Sequence, residues 1–89
     1  MTLKIERYSD ELGTVIRLTG WMRGEHLEEL QKQIGESGPN VALDLADVNL
    51  VDLEVVRFLG VCESRNIAVL NGSAYINDWI VKERSRDKH

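Results

Sequence analysis

The 89-residue chain contains one cysteine, two histidines, one proline and no long apolar run, and these scarcities exclude several classes of protein. Because Cys62 is the only cysteine, no internal disulfide is possible, and a reducing compartment fits. One cysteine and two separated histidines do not supply the clustered ligands of a zinc site. No segment approaches the roughly 20 apolar residues of a membrane-spanning helix, and the first ten residues lack the apolar core of a signal peptide. We therefore expect a cytoplasmic protein.

Positive charge is also scarce, because 11 Lys and Arg stand against 15 Asp and Glu, for a net charge of −4. A general nucleic-acid binder needs a basic face, so the balance argues against nucleic acid as the partner. Residues 1–81 hold 7 basic and 13 acidic residues, whereas residues 82–89 hold 4 and 2. We interpret this basic tail as the solvated end of a helix, where the dipole favours cations, rather than as a membrane or nucleic-acid site.

What the chain does contain is the pattern of one small folded domain spanning residues 1–89, with 43% hydrophobic and 29% charged residues. Near the start, apolar and polar residues alternate from Leu3, which predicts a half-buried strand. The segment TVIRLTG, from Thr14, is rich in β-branched residues and predicts a second strand. The turn-forming SDELG between them indicates an antiparallel hairpin.

Helices and strands then alternate. Leu27, Leu30 and Ile34 have helical spacing in a helix that Gly35 or Gly38 can end. VALDL predicts a third strand, followed by a second helix from near Asp52 to about Ser64. NIAVLNG predicts a fourth strand covered on both faces, and a last helix follows the candidate N-cap Ser73. The predicted core includes four residues of the last two helices: Phe58, Leu59, Ile76 and Trp79.

The predicted fold class is α/β, with the order β-β-α-β-α-β-α and a mixed four-stranded sheet. A helix between successive strands requires a crossover connection and parallel pairing. Three segments should then meet at the carboxyl edge of the parallel strands, where open α/β sheets place their sites. They are Gly20–Gly24, Ala46–Leu53 and Asn71–Ser73.

Four acids, Asp44, Asp47, Asp52 and Glu54, surround the predicted strand-to-helix turn. A hard cation would accept the oxygens of Asp47, Asp52 and Glu54, so a metal or phosphoacceptor site is one hypothesis. The stronger interpretation is structural, in which Asp52 caps the second helix and Glu54 complements its dipole. We predict no metal, no cofactor and no catalytic residue.

Nucleophilic catalysis needs a base beside the nucleophile, and the chain has few candidates. His26 is interpreted as a solvated surface residue in a polar helix turn. Cys62 lies on the apolar stripe of the second helix and is interpreted as a core residue. We expect no enzymatic activity.

VIRLTG, followed by a polar helix, LDLADVNLVD and an apolar helix, resembles the STAS domain over about residues 3–84. This is the fold of bacterial anti-sigma factor antagonists and of sulfate-transporter C-terminal domains. The family usually adds a further strand and helix. The resemblance implies a bacterial regulatory protein whose partner is a kinase-like anti-sigma factor.

The family's switch is a Ser or Thr directly after the aspartate that opens the second helix, in a motif of the form D-S-[ST]-G. Asp52 matches the aspartate, but Leu53 stands at the acceptor position and has no hydroxyl. Glu54 replaces the second hydroxyl and Val55 the glycine. One hypothesis is that Glu54 imitates a phosphorylated state. The single charge of Glu54 and its position one residue past the acceptor count against this hypothesis. They favour a second hypothesis, an unswitched binding module.

The predicted function is therefore a non-enzymatic protein–protein interaction module of STAS type. Its predicted partner-binding and regulatory residues are Trp21, Met22, Arg23, Asp52, Leu53, Glu54 and Val55, because a Trp-Met pair in a polar loop suits an interface. The alternative for Trp21 is that it folds over the end of helix one. Alternative functions are a sensor of a nucleotide or anion at the start of the second helix and a structural dimerisation domain.

Overall fold

The computed structural model describes residues 3–86, with the side chain of residue 86 excepted. It contains four strands and three α-helices in the predicted order. A 3-10 turn, Gly24–His26, precedes the first helix. The elements are β1 Lys4–Asp10, β2 Gly13–Met22, α1 Leu27–Glu36, β3 Val41–Val51, α2 Leu53–Ser64, β4 Ala68–Leu70 and α3 Ala74–Arg86. The predicted basic tail is helical as far as residue 86, and its residues 87–89 lie outside the described part.

The sheet has the strand order β1-β2-β3-β4 and is mixed, as predicted. β1 pairs antiparallel with β2, whereas β2 with β3 and β3 with β4 pair parallel. The hairpin turn forms because the Oδ1 atom of Asp10 accepts the N–H groups of Leu12 and Gly13, at 2.8 and 3.2 Å. Gly13 has a φ of 144°. A side chain there would also collide with the carbonyl of Asn40, so glycine is required at the start of β2.

One face of the sheet carries the core. Along β2, the buried Ile16 and Leu18 flank the exposed Arg17, which is the alternation expected of a half-covered sheet. The helices therefore pack on one face, and no helix within residues 3–86 covers the other. The buried apolar residues are Ile16, Leu18, Met22, Leu30, Val41, Leu43, Leu45, Val48, Val51, Val55, Val56, Leu59, Cys62, Ile76 and Ile80.

The prediction that the fourth strand is covered on both faces is wrong. β4 has three residues and pairs only with β3, at the edge of the sheet. Ala68 and Leu70 are exposed and Val69 is half-buried. An apolar run is typical of a strand whose two faces are both covered, but here helices cover only one face of the sheet.

The helix boundaries follow local signals. Ser73 caps α3, since its Oγ atom accepts the N–H of Ile76 at 3.2 Å. α1 continues through Gly35 to Glu36, and Gly38, with a φ of 87°, follows its end. Leu30 is fully buried in α1, whereas Leu27 and Ile34 are partly buried against the core.

Two of the four predicted core residues of α2 and α3 are confirmed. Leu59 and Ile76 are fully buried. Phe58 and Trp79 are only partly buried, so the prediction that they are core residues is wrong. Both side chains pack against the core and stay partly exposed. Within residues 3–86, none of the helices has the length and apolar character to cross a membrane.

Candidate functional site

The candidate site lies where β2 and β3 end, and most of two predicted loop segments, 20–24 and 46–53, is strand. The third predicted segment, 71–73, lies outside the helices and strands, as predicted. β2 extends to Met22 and β3 to Val51, so Asp52 is the only residue between β3 and α2. The pairing shifts register between Arg17 and Thr19 and again between Gly20 and Trp21. Such irregularities change which side chains face the core, and alternation in the sequence then fails to mark the strand.

Asp52 joins the beginning of α2 to the 3-10 turn. Its Oδ1 atom accepts the N–H of Val55 at 3.0 Å, which confirms the predicted N-cap. Its Oδ2 atom accepts the N–H of Gly24 at 2.8 Å. Because both carboxylate oxygens have backbone donors, this aspartate acts as a structural tie between two elements.

Glu54 follows in the first turn of α2, where the helix dipole favours an anion. It lies against Gly24, at which a Cβ atom would meet the carboxyl group of Glu54. A larger residue at position 24 would therefore displace that carboxylate. The negative charge of Glu54 therefore stands beside the 3-10 turn that Asp52 ties to α2.

Three exposed apolar side chains share this end of the sheet. Trp21 and Leu50 are paired residues of β2 and β3, with exposed fractions of 36% and 50%. Leu53, three residues after Leu50, is 40% exposed at the first position of α2. We call Trp21, Leu50 and Leu53 the apolar edge patch.

Arg23 borders the apolar edge patch. Its guanidinium carbon lies 4.7 Å from the centre of the Trp21 ring, within the range of a cation–π interaction. It also forms an ion pair with Glu25. The Arg23 guanidinium therefore lies over the Trp21 ring, and more than a third of the surface of Trp21 stays exposed.

The seven predicted site residues divide into two groups. Met22 and Val55 are fully buried, so neither offers surface to a partner, and their inclusion in the face is wrong. Both alternate with exposed neighbours, Met22 after Trp21 along β2 and Val55 after Glu54 along α2. Trp21, Leu53 and Glu54 are exposed, and Arg23 and Asp52 are half-buried.

Leu50 was not predicted. It falls within the predicted loop 46–53, where an isolated leucine carries no signal. In the structure the strand continues, with Val48 and Val51 buried and Leu50 directed outward. The sequence offers no sign of the register shifts that decide this.

The remaining two acids of the predicted group lie on β3 and have other partners. Asp44 accepts hydrogen bonds from the backbone N–H of Ala46 at 3.0 Å and the amide of Asn71 at 3.1 Å, which lower its pKa. Asp47 accepts from Arg17 at 2.7 Å, and this bond raises the pKa of the arginine. Among the described residues, no three His, Cys, Asp or Glu side chains converge as metal ligands.

The side chains of His26 and Cys62 both contribute to the fold. The Nδ1 atom of His26 accepts the N–H of Arg23 at 3.0 Å, and the ring is half-buried, so the prediction of a solvated histidine is wrong. Cys62 is 3% exposed, which confirms its predicted core position. Burial raises the pKa of its thiol to about 11.

Comparison with known proteins adds no relative: no protein-family model matches the chain, and no curated protein matches it significantly.

Proposed function

We propose that this chain is a STAS-type, non-enzymatic protein-binding module of bacterial regulation that acts in the cytoplasm. Its partner is a regulatory protein, such as a kinase-like anti-sigma factor. The observation that supports this most is the apolar edge patch, Trp21, Leu50 and Leu53, exposed where open α/β sheets place their sites. Tryptophan, leucine and a bordering arginine give the mixed apolar and cationic surface of an interface centre.

The module is unswitched in this proposal. Residues 52–55 carry no hydroxyl, and Leu53, which the resemblance aligns with the phosphoacceptor of the STAS motif, is exposed. The apolar side chain then contributes contact area at the position that phosphorylation would otherwise make negative. Binding is controlled by the abundance of the partner, not by modification of this loop.

The alternative of a nucleotide or anion sensor is less well supported. An anion at the start of α2 would need free backbone N–H groups. The N–H of Val55 already donates to Asp52, and the charges of Asp52 and Glu54 repel an anion.

A homodimer is the other alternative, and the edge position of β4 favours it. An edge strand presents unpaired backbone groups to a second chain. Sedimentation of wild-type protein against Leu70→Lys, which puts a charge beside that edge, separates a dimerisation domain from a module that binds another protein.

A pair of matched substitutions tests the proposed surface. Leu53→Glu places a charge in the apolar edge patch, and Leu12→Glu places the same charge on the hairpin turn, where Leu12 is 86% exposed. With a kinase-like anti-sigma factor as titrant in a calorimeter, we expect Leu53→Glu to weaken binding at least about tenfold and Leu12→Glu to leave it unchanged. Equal losses, or none, would contradict the proposed surface.

A further inference from the structure

A second surface lies between α1 and α2, where a groove of about 700 Å³ opens. Its apolar lining comes from both helices and from the segment before β4: Leu27, Ile34, Phe58, Val61, Cys62 and Ile67. Leu27, Ile34, Phe58 and Ile67 pack against the core yet stay partly exposed. All four are incompletely buried because they line the same groove. This groove also explains why Phe58 is not a core residue.

The charged rim of the groove differs from the rest of the protein. Glu54, Arg57 and Arg65 line it, which gives one negative and two positive charges on a chain whose net charge is −4. Arg57 is partly neutralised, since its Nε atom lies 3.4 Å from an oxygen of Glu83. Arg65 is exposed and, among the described residues, forms no ion pair. The groove therefore combines an apolar floor with an uncompensated cation at one end.

We propose that this groove binds an amphipathic helix of a partner protein, with the helix's apolar face on the floor and its carboxylates facing Arg65 and Arg57. From residue 54 to residue 65, the eleven steps along α2 and its C-cap span about 16 Å at ~1.5 Å per residue, the length of three helical turns. Binding of an amphipathic helix in a groove is a common recognition mode, in which apolar side chains three and four residues apart on the helix enter the groove. The acidic flank follows from charge complementarity with the rim.

This inference rests on the proposed function, because it names the part of the protein partner that α2 recognises. Leu53 belongs to the apolar edge patch and the next residue, Glu54, to the groove. A single partner that contacts the start of α2 can therefore reach both surfaces.

The first experiment is a selection from a displayed library of 16-residue amphipathic helices. Apolar residues are fixed at helical spacing, and the flanking positions are randomised. Against wild-type protein, we expect enrichment of Asp and Glu at two flanking positions about seven or eight residues apart, because Arg57 in α2 and Arg65 just after its end are eight residues apart. Selected helices without this acidic preference would overturn the proposal.

The second experiment measures a selected peptide against charge-reversal variants. Arg65→Glu should weaken its binding at least about tenfold, because an attractive pair becomes repulsive. Lys32→Glu is the matched control, since Lys32 is exposed on α1 and does not line the groove. Equal effects of the two variants would show that only net charge matters and would contradict a specific groove site.

Amide and methyl chemical shifts locate the peptide and separate this inference from the proposed function. Shifts confined to Leu27, Ile34, Phe58 and Ile67 would support the groove. Shifts at Trp21 and Leu50 alone would refute the groove and leave the apolar edge patch standing. Dodecanoate is the small-molecule probe, and groove shifts with this fatty acid but not with the acidic helices would overturn the proposal in favour of a lipid.

Discussion

The Oδ2 atom of Asp52 lies 2.8 Å from the backbone nitrogen of Gly24, 28 residues earlier in the chain. The same carboxylate caps α2 through Val55. Asp52→Ala should therefore lower the free energy of unfolding by about 2 kcal/mol, from a lost cap of ~1 kcal/mol and an unpaired donor at Gly24. Urea melts measure this directly.

Asp52→Ser separates the two contributions. Serine keeps a cap acceptor but is too short to reach Gly24 as well, so we expect about half of the loss caused by alanine. An alanine variant as stable as wild type would show that the tie contributes nothing.

Leu59→Ala should destabilise the protein more than Phe58→Ala, although phenylalanine is the larger side chain. Leu59 is fully buried, and its truncation should cost about 2–5 kcal/mol. Phe58 is partly exposed to the groove, so we expect a loss below the ~3–5 kcal/mol of a buried aromatic ring. Denaturant melts of both variants give the order, and a larger loss for Phe58→Ala would contradict the position of its ring.

Asp44 should make stability depend on acid pH. Hydrogen bonds from Ala46 and then Asn71 hold its pKa below the ordinary 3.8, so the folded state favours the carboxylate. Its contribution is complete above the unfolded pKa and is lost as pH falls through the lower folded value.

Asp44→Asn should therefore flatten the fall in stability below about pH 4, because the Oδ1 acceptor stays and only the titrating charge is lost. Asn71→Gly should flatten it in part, because one of the two donors remains. Glycine is chosen because Asn71 has a φ of 60°. Unchanged slopes in both variants would contradict the assigned contacts.

Cys62 should resist alkylation in the folded protein. Its thiol is buried with a pKa of about 11, so at pH 8 only about one molecule in a thousand carries the reactive thiolate. Iodoacetamide labelling followed by mass spectrometry should show slow modification that becomes rapid in urea. Rapid labelling without denaturant would mean that the groove admits reagent to residue 62.

The order of elements could be predicted because each has its own periodicity, and the caps because Asp52 and Ser73 precede apolar helices. The extent of β3 could not, since its register shifts leave no regular alternation. The exposure of β4 depends on whether a second layer covers the sheet, which a short apolar run does not reveal. Phe58 has the correct helical spacing for the core, but its burial depends on how closely α1 approaches α2.

Phosphate uptake by a substituted series examines the acceptor position. Incubated with a STAS-directed kinase and ATP, wild-type protein should gain no phosphate at residues 52–55. Leu53→Ser restores an acceptor beside the negative Glu54, and Leu53→Ser with Glu54→Ser removes that repulsion. Intact-mass spectrometry with site mapping should show phosphate uptake that is lowest in wild-type protein, higher in the single variant and highest in the double variant. No uptake in the double variant, despite measured kinase binding, would mean that residue 53 is not presented as in the STAS family.

The most direct test of an unswitched module is the affinity of wild-type protein for a kinase-like anti-sigma factor, measured by calorimetry in ADP and again after prolonged incubation in ATP. We predict the same dissociation constant in both, because residues 52–55 offer no hydroxyl whose phosphorylation would end binding. A loss of affinity in ATP that accompanies a mass increase of one phosphate on this chain would contradict the account.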